Sequence, residues 1–425
     1  MQRARKGASR APRAVFARGD GSVLDCPQYA AAADGGVLLT AAAADFIPIP
    51  KGTLLLTLPG RSPLGFDAGE RVALHDFEGA PIDAVAAALP LGYTRTLLPA
   101  FAIRRDAPPL PLYGYAAVAW HEGRLCVAGL LTDQLETWSS SAHDPEPLRR
   151  AVAMRLLEFP GSPQLRQLER CALEYGCYTA QNTFLRQGEA AITVSPACNA
   201  RCIGCISEQE PEAGIASAQE RVRETAAADD IARLAVAHLE SATHPIISFG
   251  QGCEGEPLLA APRIAAAIRK IRKTTQRGTL HINTNASRPA ALAQLLEAGL
   301  QSVRVSLNSA RPATYAAYYR PRGYGFDDVV QSLEVARRVG ASVSLNLLTH
   351  PGVTDDPDEM QAFGALLRDH PVDMVQSRTL NVDPSVYFQA VGRPKEKPVG
   401  MRAWFAWLRS EFPRVRVGNF TRGFG

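Results

Sequence analysis

From about residue 190 onward the chain alternates short apolar runs with amphipathic segments, and this alternation limits the possible folds more than any other feature. The apolar runs fall at 190–194, 245–249, 279–283, 302–307, 342–347 and 372–376. The intervening segments carry apolar side chains at helical spacing: Ile231, Leu234 and Leu239, then Ile264, Ile268 and Ile271, then Val329, Val330, Leu333 and Ala336. Gly340 is placed to end the last of these, and shorter helices are expected at 290–298 and 360–370. Six strand–helix units at this spacing imply parallel strands joined by helical crossovers. The fold class is therefore α/β, with either an open doubly wound sheet or a barrel or part-barrel. Both architectures place chemistry at the C-terminal ends of the strands.

The residues ahead of this series read differently. Residues 15–140 are rich in Gly, Pro and short apolar runs (36–40, 53–58, 71–75, 113–120 and 124–131), as in a β-rich domain. Leu148, Val152, Leu156 and Leu157, followed by Leu165, Leu168, Cys171 and Leu173, predict helix over 146–176, interrupted at Pro160–Pro163. With 425 residues the chain exceeds one ordinary domain. The expected division is a basic tail at 1–14, a β-rich N-terminal domain at 15–145, a helical connector at 146–185, the strand–helix core at 186–395, and a C-terminal helix and tail at 396–425.

Charge excludes little but is informative in one respect. The net charge is only +4, and the one basic run is Arg3, Arg5, Lys6, Arg10 and Arg13 at the start, which reads as a solvated tail. Nucleic-acid binding is not indicated. No signal-type apolar stretch follows that run, and no window approaches the ~18 apolar residues of a membrane span. A cytoplasmic protein without membrane attachment is expected.

Cysteine usage points to chemistry. Five of the eight cysteines (Cys26, Cys126, Cys171, Cys177 and Cys253) are scattered, unlike a disulfide framework, while three fall within 198–205. Residues 191–205 read as a strand followed by Cys198-x3-Cys202-x2-Cys205. Thiolates are the soft ligands that iron–sulfur clusters prefer, and three of them leave one iron of a four-iron cube without a protein ligand. A structural zinc with a distant fourth ligand, or three unrelated buried cysteines, are the competing readings of the spacing alone.

Over about 190–384 the sequence resembles the radical S-adenosylmethionine (SAM) superfamily. The resemblance implies a partial (β/α)6 TIM-like barrel carrying a [4Fe–4S] cluster on Cys198, Cys202 and Cys205. SAM would chelate the open iron, and reductive cleavage would yield a 5′-deoxyadenosyl radical that abstracts hydrogen from substrate. An electron donor such as flavodoxin or ferredoxin is implied as partner. The Ser248–Leu259 stretch is similar to the family's Gly-Gly-Glu loop, with Gly255 and Glu256 as the matching pair toward the SAM ammonium and Glu254 as the alternative. Asn285, in a segment similar to the family's Thr-Asn-Gly, is expected to line the site, and Ser306 and Asn308 to meet the ribose and methionine carboxylate. The residue before the last cysteine, aromatic in most members, is Gly204 here; Ile203 or Ile206 is the expected replacement. At the end of the sixth strand, Gln376 and Arg378 are candidate substrate-binding residues, together with Asn381 and Asp383, Arg378 being suited to a carboxylate or phosphate.

No cysteine follows Cys253, so a C-terminal auxiliary-cluster extension is not expected. Cys171 and Cys177, with Cys26 or Cys126, are the remaining option for a second cluster; small buried hydrophobes are the default reading. Three function classes remain: a radical SAM enzyme on an unidentified substrate, a radical SAM activase or RNA-modifying enzyme that docks a macromolecule through the N-terminal domain, and a non-catalytic Fe–S or zinc scaffold. The general acids, bases or nucleophiles of the reaction are not legible.

Overall fold

The computed structural model describes residues 11–138 and 142–423, so Arg3, Arg5, Lys6 and Arg10 of the basic run lie outside the described residues. Arg13, assigned to the same tail, opens a strand and pairs with Asp25 at 2.9 Å.

The C-terminal half is a part-barrel. Seven parallel strands, β1 (Gln187–Ile192), β2 (Thr243–Phe249), β3 (Thr279–Thr284), β4 (Ser302–Leu307), β5 (Ser342–Thr349), β6 (Met374–Thr379) and β7 (Arg416–Gly418), lie side by side in chain order. The expected runs match the first six within a few residues. The seventh, three residues long and half exposed, was not expected. Outward-facing residues such as Ile247, Leu280, Ile282 and Val303 are fully buried beneath the crossover helices, each contributing about 1.5–3 kcal/mol. The helices are α4 (Ala228–Ser241), α5 (Ala261–Thr274), α6 (Pro289–Ala298), α7 (Pro312–Tyr319), α8 (Phe326–Arg338), α9 (Pro357–Asp369), α10 (Pro384–Val391) and α11 (Met401–Glu411). Three earlier helices, α1 (Pro145–Glu158), α2 (Pro163–Leu173) and α3 (Tyr178–Leu185), pack beside β1. Asp144 and Ser162 cap the first two through the amides of Glu146 and Leu165, and proline follows each cap, as helix starts favour.

The side chains that alternate with this outer layer point into the lumen, where they are polar. Asn283, Arg304, Ser306, Asn346 and Arg378 remain part-exposed, while the residues next to them inside each strand are buried. Only Thr379 next to Arg378 departs from this pattern. The lumen is therefore an accessible, polar surface inside an apolar shell.

The N-terminal half is built around an antiparallel, twelve-stranded sheet, with two small two-stranded ribbons beside it. Its central path runs Phe101–Ile103, Arg61–Asp67, Val23–Asp34, Arg13–Ala17, Tyr115–His121, Ala84–Ala88 and Leu54–Leu58. It packs small side chains closely: Ala31, Ala33, Ala86, Ala87, Ala116 and Ala119 are all buried. One of these ribbons, Tyr93–Arg95 paired with Gly129–Leu131, joins the barrel through buried polar contacts, with Thr94 Oγ1 at 2.8 Å from Ser377 Oγ and Arg95 Nη2 donating to Leu380 O at 3.1 Å. The segment leaving the sheet also closes the barrel's open side. Asp133 Oδ2 accepts the amides of Asn419 and Phe420 beyond β7. Thr137 lies against Gly188 of β1, its Oγ1 3.6 Å from where a Cβ at 188 would stand. Among the described residues no helix is long and apolar enough to cross a membrane.

Candidate functional site

The three clustered cysteines occupy the loop after β1, at the C-terminal end of the barrel. This loop is fastened on three sides. From α7, Tyr319 O accepts the Arg201 amide and Tyr318 O the Ile203 amide, both at 3.0 Å. From the loop after β3, Asn285 Nδ2 donates to Asn199 Oδ1 and Asn199 Nδ2 to Ser287 Oγ, both at 2.9 Å. From the loop after β2, the Gly255 amide donates to Ser195 O at 2.7 Å and the Glu256 amide to Ala197 O at 2.8 Å. A Cβ at Gly255 would stand 2.0 Å from Ala197 O, so only glycine fits against the cysteine loop there. Gly250 adopts φ +79°, and a Cβ would fall 1.9 Å from Asn283 O.

The two glutamates of this loop act as internal staples. Glu254 accepts four backbone amides: Val194 and Ser195 from the cysteine loop, Gly250 and Gln251 from its own. Glu256 accepts the Leu258 amide at 3.0 Å, the Asn285 amide at 2.8 Å and the Thr284 hydroxyl. Both are buried, and burial raises each carboxyl to about 7 against the pull of those donors. The structure places the Glu256 oxygens on the loop after β3, where a buried carboxylate takes the nearest amides.

The thiols themselves lie close together. Burial raises Cys202 well above its ordinary range, with Cys205 and Cys198 adding to the effect. Cys198 is raised by burial, and Glu256 and Cys205 push the same way. Arg221 Nη2 points at Cys205 Sγ from 3.4 Å, a cation suited to a thiolate. Among the described residues, no three His, Cys, Asp or Glu side chains converge as ligands of a single ion. Three thiols that each bind a different iron of a cube do not need to converge. The donor chemistry fits an iron–sulfur cluster better than the zinc considered for the spacing alone.

A cavity of about 810 Å³ opens over the cysteines. Arg201, Glu208, Arg221 and Arg322 line it, and Pro109 and Leu110, in a loop of the N-terminal half, form part of its wall. A slightly larger cavity, about 850 Å³, sits at the opposite mouth of the barrel among Ser302, Ser342, Asp373 and Arg416, away from every cysteine. The first holds the chemistry-bearing side chains.

The other candidates divide. Ser306 lines the lumen beside Asn346 of β5. Asn308 is buried, its amide donating to Tyr387 Oη at 3.0 Å and Thr314 O at 3.3 Å, so it supports α7 and α10. Asn285 ties the loops together as described. Gln376 is fully buried and accepts from Arg304 at 2.9 Å, whereas Arg378 keeps an open face. Asp383 pairs with Arg61 of the N-terminal sheet. At Gly204 a Cβ would stand 2.8 Å from the Tyr318 hydroxyl, so Tyr318 from α7 fills the space that a side chain at 204 would take. Sequence reasoning also missed Asn199; its place between two cysteines was the available signal.

Of the remaining cysteines, Cys253 lies within hydrogen-bonding reach of Cys171, and Cys177 is close by. Cys26 and Cys126 are buried in separate clusters of the N-terminal sheet, so neither joins Cys171 and Cys177.

The model of the Radical SAM superfamily matches residues 192–363. A GTP 3′,8-cyclase from Acidothermus cellulolyticus is 30% identical over 179 residues, covering 40% of this chain and 46% of that protein. Molybdenum cofactor biosynthesis protein 1 from Bos taurus is 26% identical over 228 residues, covering 51% of this chain and 33% of the relative. The chain thus spans less than half the length of each of these relatives. Among solved structures, methylornithine synthase (PylB) aligns at a TM-score of 0.38 and 16% identity, over 64% of this chain and 73% of that one. The matched segment begins at the end of β1 and runs through the cysteine, Gly-Glu and Asn285 loops described above, so residues 192–363 carry a radical SAM superfamily domain.

Proposed function

We propose that this chain is an enzyme that cleaves SAM reductively and passes the resulting 5′-deoxyadenosyl radical to a substrate held in the barrel lumen. Superfamily members use a [4Fe–4S] cluster and SAM. When bound, the cluster supplies the electron that breaks the sulfonium. In this reading Cys198, Cys202 and Cys205 are its ligands, and Arg221 orients Cys205 through its contact with Sγ. The observation that carries the proposal is the lacing of the three-cysteine loop to the glycine loop by Glu254 and Gly255, which sets a ligand loop and a cofactor loop in fixed register.

Gly255 keeps the glycine loop against the cysteines, and Glu256 and Asn285 act on the SAM ammonium through the backbone they position. Ser306 offers its hydroxyl to SAM from the lumen, while Asn308 shapes that end of β4 from behind. The enzyme requires a reductant; flavodoxin or ferredoxin is the proposed donor, in a cytoplasmic setting. The N-terminal sheet serves as wall and seam closure, which keeps solvent from a radical intermediate.

Binding tests the reading first. In anaerobically reconstituted, dithionite-reduced protein, added SAM should change the electron paramagnetic resonance spectrum of the cluster, because it would coordinate the open iron. A spectrum indifferent to saturating SAM would remove the basis for the proposal.

A further inference from the structure

The charges of the lumen do not balance, and the imbalance is localised. Glu189 of β1 is the acid facing Arg304; burial opposes its ionisation, but Arg304, His281, Ser248 and Thr421 together hold its carboxyl below the ordinary range. Arg304 is held on one side: its Nη1 donates to Gln376 Oε1 at 2.9 Å and Thr421 Oγ1 at 3.0 Å, with Glu189 as its facing acid. His281, between Ser302 Oγ at 2.8 Å and Asn283 Oδ1 at 3.0 Å, is pushed by burial to about 4 and carries no charge near neutrality. One acid therefore answers one arginine.

Arg378 is left over. It stands beside Leu348 of β5 in the register of the sheet, at the C-terminal end of β6. Among the described residues no hydrogen bond or ion pair reaches its guanidinium. Asp133, the other acid in its field, already accepts Asn419 and Phe420 amides and pairs with Arg422 at 2.6 Å. Burial, reinforced by Arg304, lowers Arg378 to about 10, so the side chain stays a cation with no counter-charge of its own. A partly desolvated charge without a partner is unfavourable in the folded state, and the open face of Arg378 leaves room for a ligand to complete it. A guanidinium presents parallel N–H donors that match the two oxygens of a carboxylate or phosphate. Ser306 and Asn346 flank the same accessible surface, and among the described residues Asn346 Oδ1 has no donor, so neutral hydrogen-bonding groups of the same ligand have acceptors to meet.

We propose that Arg378 binds an oxyanion of the substrate, so that the substrate class is a carboxylate- or phosphate-bearing molecule anchored at the end of β6. This rests on the radical SAM reading for the word substrate, not for the anion site itself. The other source of the same chemistry is the carboxylate of SAM, and the two are separable. Inorganic phosphate and acetate are titrated separately by calorimetry into the full chain, first without cluster and SAM, then with both. The wild type should saturate with at least one anion. Arg378→Gln should bind it at least about tenfold more weakly. Arg416→Gln, at the opposite mouth, should match the wild type. SAM affinity of the cluster-loaded Arg378→Gln variant should stay within about twofold of wild type, and its thermal midpoint should not fall, since the change removes an uncompensated charge. Arg378→Lys, which keeps the charge without the fork, provides the same comparison if the Gln variant fails to fold. Saturation by neither anion, equal anion affinity in wild type and Arg378→Gln, or a tenfold loss of SAM affinity would each overturn the assignment. Failure of the wild type to bind SAM while the anion result stands would sink the radical SAM reading and leave the anion site intact.

Discussion

Anaerobic reconstitution should load about four irons per chain with absorption near ~400 nm, and replacing Cys198, Cys202 and Cys205 together by Ala should leave essentially none. The three thiols lie in one loop, burial and neighbouring thiols raise Cys202 and Cys198, and Arg221 reaches Cys205. Cluster binding must displace their protons, so loading should improve as pH rises from neutral toward 8.5. The triple variant should remain folded, because Glu254 and the Tyr318 and Tyr319 carbonyls hold the loop through its backbone. Iron and circular dichroism measured on the same samples check both parts. Eight irons in the wild type with four remaining in the triple variant would point instead to a second cluster, for which Cys171, Cys177 and Cys253 are the grouped thiols.

The second large effect lies at the junction of the two halves. Asp383→Ala should destabilise the chain by about 3–5 kcal/mol, a large part of an ordinary domain's stability. Asp383 Oδ2 meets Arg61 Nη2 at 3.0 Å with both side chains almost fully buried, and it also accepts the Leu110 amide at 3.3 Å. Its other oxygen caps α10 through the Ser385 amide at 2.9 Å. Removing the carboxylate leaves a buried guanidinium without its charge partner and an uncapped helix, and a lost cap alone costs about 1 kcal/mol. Arg61→Met combined with Asp383→Leu should recover part of the loss, since neither charge is then stranded. Urea titration of the two variants measures it. A cost under about 1 kcal/mol for Asp383→Ala would mean that water reaches Arg61 and that the halves are loosely joined.

This junction also shows where sequence reading stops. Asp383 sits in a polar stretch after β6 and reads there as a lumen residue; its partner is 322 residues away, and no local pattern announces it. The barrel was legible because its outer residues repeat at strand and helix periods over six units. β7 escaped because Arg416, Val417 and Gly418 are too few to show any period. In the N-terminal sheet, strands such as Ala84–Ala88 use alanine where β-branched residues would signal a strand; close packing of the sheets rather than propensity holds them.

The same division runs through the site. The cysteine spacing and the glycine loop are visible as words, because ligand number and positive φ are properties of residue type. Side-chain direction is not. Glu254 and Glu256 look interchangeable in sequence, and only the fold shows one stapling the cysteine loop and the other the loop after β3. Gly204 reads as a missing aromatic until the Tyr318 hydroxyl is found in its place. Arg378 is recognisable as an anion-binding residue type, but that it has no partner among the described residues is a property of the assembled lumen.

The central claim is that the cysteine loop, the glycine loop and the lumen together cleave SAM. The most direct test is to incubate the cluster-loaded full chain with SAM and dithionite under anaerobic conditions and quantify 5′-deoxyadenosine and methionine by mass spectrometry. Both products should appear together, only with reductant present, and be absent from the Cys198, Cys202 and Cys205 triple variant. Cluster-loaded wild type that binds SAM yet yields no 5′-deoxyadenosine, or release that continues in the triple variant, would contradict it.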